Sequence, residues 1–402
     1  MKTTKFKPSE VGPIPEEWEV KRLRDVCDKI RNGYGYDFRE HGTYPMSRIE
    51  TISSGEINYS RVALIEDEPP PEYRLRPGDI LYSHINSLPY IGNIAQYDGS
   101  GCLYHGMNLL LVRPTNTVDS VYLKYILKSE PMRNLARSAA KVAINQASIS
   151  TKELAQFQIV LPPRPEQEKI AEALSDVDAL LAAMTKLIEK KRAIKQGAMQ
   201  QLLTGKKRLA GFTGKWVEKR LGDVADFMTA TTPTASIDLR WYIGTENMLA
   251  DKAGVTQNFA SVPYKVVREY IKGDVLTSNI RPYLKKIWLA DCNGGCSTDV
   301  LVLRTHDRAV CMPEFLVMLV SDDAFFDFAM ANAVGTKMPR GDKKVLVNFE
   351  VRLPSVPEQK AIASVLSDMD AEIAALEAKR AKYESIKQGM KQELLTGKTR
   401  LV

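Results

Sequence analysis

The sequence predicts an α+β chain in which a mixed α/β domain followed by a long amphipathic helix occurs twice. Three observations carry this expectation. Two motif-bearing segments repeat at one fixed offset, apolar residues inside them fall at helical spacing, and short β-rich runs bounded by turn residues lie upstream of each copy.

The repeat is the strongest of the three. Pro162-Pro163-Arg164-Pro165-Glu166-Gln167 recurs as Pro354-Ser355-Val356-Pro357-Glu358-Gln359, Ile194-Lys195-Gln196-Gly197 as Ile386-Lys387-Gln388-Gly389, and Leu202-Leu203-Thr204-Gly205-Lys206 as Leu394-Leu395-Thr396-Gly397-Lys398. All sit 192 residues apart, and 27 of the 49 positions starting at Leu161 and Leu353 are identical without a gap. A weaker repeat precedes each copy. Trp18, Lys21-Arg22-Leu23 and Asp25-Val26 correspond to Trp216, Lys219-Arg220-Leu221 and Asp223-Val224; Gly78-Asp79-Ile80-Leu81 and Ser83 correspond to Gly273-Asp274-Val275-Leu276 and Ser278. Between these landmarks the halves scarcely match, so a common frame carries two different contents.

Each preserved segment reads as one long helix. After Pro162 and Pro165, apolar residues at Ile170, Leu174, Val177, Leu181, Met184 and Ile188 alternate steps of four and three, as a coiled-coil seam requires. The second copy offers Ile362, Leu366, Met369, Ile373 and Leu376 before Arg380 and Tyr383 interrupt the stripe. Thr204-Gly205 and Thr396-Gly397 mark helix ends, where glycine takes the left-handed cap. A lone helix of this kind would expose its seam, so the copies are expected to pack on each other, on partner helices, or on both. The bland alternative is a dimerisation coil. Upstream, Asp79-Ile80-Leu81-Tyr82, Leu109-Leu110-Leu111-Val112 and Val300-Leu301-Val302-Leu303 read as strands, and 122–127 and 313–319 as helical patches.

Composition bounds the function without assigning it. With 402 residues, 44% hydrophobic and 26% charged, several folded units are expected. No apolar run is long enough for a membrane span and Met1 to Lys7 lacks a signal-peptide core, so the expected setting is the cytoplasm with no membrane partner. Five scattered cysteines, Cys27, Cys102, Cys292, Cys296 and Cys311, fit reduced thiols better than a disulfide framework. The net charge of +7 is spread thinly: basic and acidic residues number 20 and 19 in 1–161, 10 and 6 in 162–209, 18 and 17 in 210–353, and 8 and 7 in 354–402. Charge is therefore compatible with nucleic-acid binding but does not argue for it.

Catalytic signatures fail on context. Gly397-Lys398-Thr399 ends like a phosphate-binding loop, but the preceding Gly389 lies too far upstream and a helix, not a strand, leads into it. Asn86-Ser87-Leu88-Pro89-Tyr90 is similar to an amino-methyltransferase loop, yet its first proline is missing and no glycine-rich cofactor loop precedes it. Cys292 and Cys296 would need Cys311 and His306 to complete a zinc site. His41, His84 and His105 have no counterparts in the repeat and read as structural or base-contacting side chains. No catalytic residue and no metal ligand is assigned.

The doubled Pro-Xaa-Xaa-Pro-Glu-Gln helix ending in Ile-Lys-Gln-Gly and Leu-Leu-Thr-Gly resembles the specificity subunits of type I restriction–modification enzymes. The openings Gly12-Pro13-Ile14-Pro15-Glu16-Glu17-Trp18 and Gly211-Phe212-Thr213-Gly214-Lys215-Trp216, and the run Arg281-Pro282-Tyr283-Leu284-Lys285-Lys286, are similar to that family's too. The resemblance covers essentially the whole chain. It implies target-recognition domains over 1–161 and 210–353, separated by spacer helices over 162–209 and 354–402 that pack as an antiparallel coiled coil with pseudo-two-fold symmetry. Each domain would read one half of a bipartite, asymmetric site in double-stranded DNA. The chain would recruit two methyltransferase subunits, which modify adenine, and in a full complex two ATP-dependent restriction and translocase subunits. S-adenosylmethionine, ATP and Mg would belong to those partners, with no cofactor in this chain. The alternatives are a specificity subunit of a stand-alone or other multi-subunit DNA methyltransferase system, or a coiled-coil scaffold.

Phosphates are held by cations and base edges by bidentate side chains. The DNA-binding candidates are therefore Arg31, Tyr34, Tyr36, His84, Asn86, Lys141, Asn145 and Gln146 in the first domain. In the second they are Asn279, Arg281, Lys285, Lys286, Lys337, Arg340, Lys343 and Lys344. The first half has His84-Ile85-Asn86-Ser87-Leu88-Pro89-Tyr90 where the second has the Arg-Pro-Tyr-Leu-Lys run, so phosphate contacts expected of Arg281 and Lys285 do not transfer to it.

Overall fold

The structure, a computed structural model, describes residues 5–37, 41–144, 146–335 and 337–402. Two compact units divide it: 1–184 with 379–402, and 185–378. Each unit therefore takes one α/β domain, one end of the first long helix and the opposite end of the second.

Both long helices form as the apolar spacing requires, over Arg164–Leu202 and Val356–Leu394, 39 residues each and roughly 58 Å long. Glycines with positive φ follow them, Gly205 at +69° and Gly397 at +70°. Within the first unit Glu166 pairs with Arg400 and Asp178 with Lys387. Within the second, Lys195 pairs with Asp370, Lys191 with Glu372 and Arg208 with Glu358. In each case numbers rise along one partner as they fall along the other, so the helices run antiparallel. Most of the predicted seam is buried, with Val177, Met369 and Leu376 half-buried: Ile170 and Leu174 join Leu394 and Leu395 in the first core, and Met199 and Leu202 join Ile362 and Leu366 in the second.

The same frame is built twice. In the first unit an antiparallel sheet orders Cys27–Asn32, Leu110–Pro114, Ile80–Tyr82 and Ile94–Gln96. The second repeats that order with Ala225–Phe227, Val300–Thr305, Val275–Ser278 and Ile287–Leu289. Helices Ser120–Leu127 and Glu130–Ala139 in one, and Pro313–Ser321 and Asp323–Ala331 in the other, cover one sheet face. A ribbon leads into each long helix, Glu19–Arg22 with Gln158–Leu161 and Val217–Arg220 with Glu350–Leu353.

The repeated motifs are the joints of this frame. Gly78 and Gly273, both at φ +93°, let a tight turn end on Asp79 and Asp274, whose carboxylates accept the backbone N–H of Arg76 and Ile271 at the turn's start. The same carboxylates receive bidentate bonds from Arg113 (both 2.6 Å) and Arg304 (both 2.7 Å) on the neighbouring strand. In the Pro-Glu-Gln motif, Gln167 accepts the N–H of Asp119 at 2.9 Å and donates to the Pro162 carbonyl at 2.9 Å. Gln359 accepts from Met312 and donates to the carbonyls of Pro354 and Val310. One amide thus fastens the start of each long helix to the start of the domain's first covering helix.

What differs lies between the frame's strands. Residues 44–65 of the first unit form a hairpin, Tyr44–Met46 with Ala63–Ile65. The second unit instead builds a second four-stranded sheet of Thr231–Pro233, Val266–Tyr270, Gly294–Cys296 and Tyr242–Ile243. All five cysteines are free thiols. Among the described residues no helix is long and apolar enough to cross a membrane.

Candidate DNA interface

The first unit gathers several sequence-proposed residues on one edge. The hairpin Lys141–Ala143 with Gln146–Ser148 adds a third strand, Ile85–Asn86, through the pairs Ala147–Asn86 and Ser148–Ile85. Ile149 N–H then donates to the His84 carbonyl at 2.9 Å. An open cleft of about 640 Å³ lies beside it, lined among others by Asn32, Gly33, His84, Asn108, Lys141 and Lys152. Lys141 is 80% exposed along its side chain, its nearest carboxylate oxygen being 3.9 Å away on Glu153, and Gln146 is exposed. Asn145 lies outside the described residues.

The other first-unit candidates serve the fold as well. The Arg31 guanidinium donates to the Glu72 carbonyl at 3.0 Å and lies 4.0 Å over the Tyr73 ring, which Tyr34 meets edge-on at 5.2 Å. Tyr36 is half-buried, and that burial pushes its phenol up. A Cβ on Gly33 would stand 1.9 Å from the Gly106 carbonyl oxygen, so the glycine there answers a close backbone approach. Asn86 donates to Ser83 Oγ at 3.1 Å and accepts from the Ser87 N–H at 2.8 Å. His84 is 7% exposed, and burial lowers its imidazole to about 4, so it is neutral at pH 7 and offers a phosphate no charge.

The second unit places its candidates around the equivalent hairpin, Ala333–Val334 with Arg340–Gly341. Ile280 bridges to Arg340, and the Arg281 N–H donates to the Pro339 carbonyl at 2.9 Å. Arg281 (φ +52°) and Lys285 (φ +49°) flank the helical turn Pro282–Leu284 in left-handed conformations that non-glycine residues adopt at a cost. Arg281 is exposed; Lys285 instead donates to Asp323 at 2.9 Å, a carboxylate shared with Lys252 at 2.8 Å. Those two lysines hold the Asp323 carboxyl below its usual range. Lys286 donates to the Thr245 carbonyl at 2.7 Å, and Arg340 pairs with Asp299 at 3.2 Å. Lys343 is half-buried, its ammonium lowered by burial and then by the nearby Arg268. Lys337 and Lys344 are exposed.

His84 and Asn279 hold one place in the frame, each directly after the repeated Ser83 and Ser278. Each keeps one buried polar atom without a protein partner, His84 Nδ1 and Asn279 Oδ1. Residue identity thus changes at one place that the repeated frame marks in both units. Sequence reasoning passed over the apolar members of both hairpins: Val142 is 68% exposed, Ile144 95%, Val334 71% and Met338 46%. The signal was present, since Val142 and Val334 are themselves 192 residues apart.

Comparison with known proteins agrees with this doubled construction. The family model described as the type I restriction modification DNA specificity domain matches residues 15–195 and again 213–387. The chain belongs to that family and carries two copies of its domain. It is 32% identical to the inferred specificity subunit of the type I restriction enzyme MjaX of Methanocaldococcus jannaschii, over 100% of this chain and 98% of that one. It is 23% identical to the EcoKI specificity subunit of Escherichia coli over 48% of this chain and 45% of the other. The crystal structure of a type I restriction–modification S subunit from M. genitalium shares the fold, with a TM-score of 0.59 at 15% identity over 98% of both chains.

Proposed function

We propose that this chain is the DNA-reading subunit of a type I restriction–modification system, each α/β domain recognising one part of a two-part duplex site. The observation that carries the reading is a preserved frame presenting unlike edges. The Asp79–Arg113 and Asp274–Arg304 joints and the Gln167 and Gln359 ties are the same in both units, whereas the hairpins and the loops around His84 and Asn279 differ. Direct readout demands such an arrangement, since base edges are distinguished by side-chain pattern while the scaffold stays constant.

Adenine methylation, and in a full complex ATP-driven cleavage, would be performed by partner subunits that bring S-adenosylmethionine, ATP and Mg. The long helices support such assembly. In the second unit Leu187 and Ile194, one heptad apart, remain 41% and 48% exposed on the first long helix, an apolar edge suited to a partner helix. The working compartment is then the cytoplasm, where the DNA is.

The test is to purify the chain with and without the methyltransferase it assembles with, and to sequence the methylated adenines. The expected result is no methyl transfer by the chain alone and a two-part, asymmetric site with the partner. Methylation by the pure chain, or a single contiguous site, overturns the reading. A partner complex that methylates with no restriction subunit present identifies the stand-alone form of the same role.

A further inference from the structure

We propose that the tips of the two hairpins read thymine, Ile144 in the first unit and Met338 in the second packing on the C5-methyl group of a base pair in each part of the site. This rests on the reading of the chain as a duplex-DNA binder and names residues for it. Ile144 is 95% exposed and Val142, two positions earlier, 68%; Val334 and Met338 are 71% and 46% exposed. Apolar side chains so open to water gain free energy only when something covers them.

Charge and shape choose the occupant. Lys141, 80% exposed, shares the strand with Val142, and the exposed Lys152 lies on the helical turn that follows. In the second unit the exposed Lys337 adjoins Met338 and the exposed Lys344 follows the hairpin. An apolar tip with cationic shoulders matches a groove whose floor is bases and whose walls are phosphates. A two-stranded ribbon, with strands about 4.8 Å apart plus side chains, enters the major groove, about 12 Å wide, rather than the minor groove of about 6 Å. On the major-groove edge of the bases, the apolar group is the thymine methyl. The polar candidate on the same hairpin of the first unit, Gln146, is then placed for a neighbouring base pair.

The experiment uses the full chain assembled with its methyltransferase, on the site mapped from methylated DNA. Each thymine of the site is replaced in turn by uracil, which removes only the methyl group, and affinity is measured for wild type, Ile144→Ala and Met338→Ala. For the wild type, one replacement in each part of the site should weaken binding about four-fold, the worth of one buried methyl. In Ile144→Ala the penalty at the first part should vanish while that at the second persists; Met338→Ala should show the converse. Both side chains are exposed, so unchanged melting temperatures are expected to report intact folding. A uracil scan without any loss, or penalties that survive in both variants, overturns the hairpin assignment while leaving the mapped site and the proposed function standing. Wild-type DNA affinity together with loosened methyltransferase capture in the variants overturns it in favour of a protein contact. Absence of any sequence-selective binding overturns the assignment and the function together.

Discussion

Arg400, two residues from the end of the sequence, forms a bidentate ion pair with Glu166 near the start of the first long helix, at 2.6 and 2.8 Å. The Glu166 side chain is 2% exposed and also accepts from Trp18 Nε1 at 3.0 Å. Burial pulls its carboxyl upward, but the bonds from Arg400 and Trp18 outweigh that and hold it below the usual range. Arg208 and Glu358 make the same contact in the second unit, at 2.5 and 2.7 Å.

Removing the cation should therefore cost more than a surface salt bridge would. Arg400→Ala leaves a buried carboxylate with one donor fewer on each oxygen, and a loss of about 3 kcal/mol is expected for the first unit. The wild-type pair contributes stability above pH 4.5 that is lost as pH falls through the lowered folded value. In the variant burial prevails, so acid unfolding should begin nearer neutrality. Urea unfolding followed by Trp fluorescence across pH 3 to 7 checks both; an unchanged acid limb would refute the assignment.

Loss of the aspartate should not cost the two equivalent Asp–Arg joints equally. Asp79 and Asp274 are both 1% exposed, but Arg113 is 9% exposed and Arg304 33%. Asp79→Ala strands a desolvated guanidinium, whereas Asp274→Ala leaves one that can turn to water. The first substitution is expected to destabilise its unit by about 3–5 kcal/mol and the second by appreciably less. Calorimetry of the two variants ranks them, and equal losses would count against this account.

Acid should weaken the first unit through its histidines. Burial lowers His84 and His105 from 6.5 to about 4, and His105 Nε2 lies 3.0 Å from the Leu109 carbonyl, which a neutral Nε2–H tautomer satisfies. Between pH 6.5 and 4 the unfolded chain takes up protons that the folded chain refuses, so stability falls as pH falls through that window. Imidazole C–H resonances titrating near 4 are expected, and His105→Gln should flatten the pH dependence. Titration of both rings near 6.5 in the folded protein would contradict the burial argument.

DNA binding should separate free cations from tied ones. Arg281→Ala and Lys344→Ala remove exposed charges, so each should weaken binding and shallow its salt dependence by about one phosphate contact. Lys285→Ala and Lys286→Ala break the bonds to Asp323 and the Thr245 carbonyl, so their first effect should be on the melting temperature of the second unit. Titrations at several salt concentrations, paired with thermal melts, distinguish the two groups; the reverse pattern would show that the lysines leave their partners to bind DNA.

Much of this architecture was legible beforehand because it is written as periodicity and repetition. Steps of three and four from Ile170 to Ile188 specify a buried seam whatever surrounds them, and the offset of 192 residues specifies that the frame is built twice. Gly78-Asp79 and Gly273-Asp274 were visible as landmarks, but their work was not. The arginines that complete them, Arg113 and Arg304, lie 34 and 30 residues away.

The candidate site was less legible for the same reason. A lysine carries the same charge in the sequence whether water or a carboxylate meets it. Tertiary structure alone brought Asp323 to Lys285, 38 residues distant, Thr245 to Lys286, 41 distant, and Glu72 to Arg31, also 41 distant. Nor does hydrophobicity state its own exposure: Ile149 is 1% and Ile144 95% exposed, five residues apart. The sequence by itself determined a doubled frame and its long helices, since local spacing encodes them. Which cations stay free, which histidines are stripped of charge and which apolar side chains face outward were decided by partners remote in the chain, because pairing and desolvation depend on proximity in space.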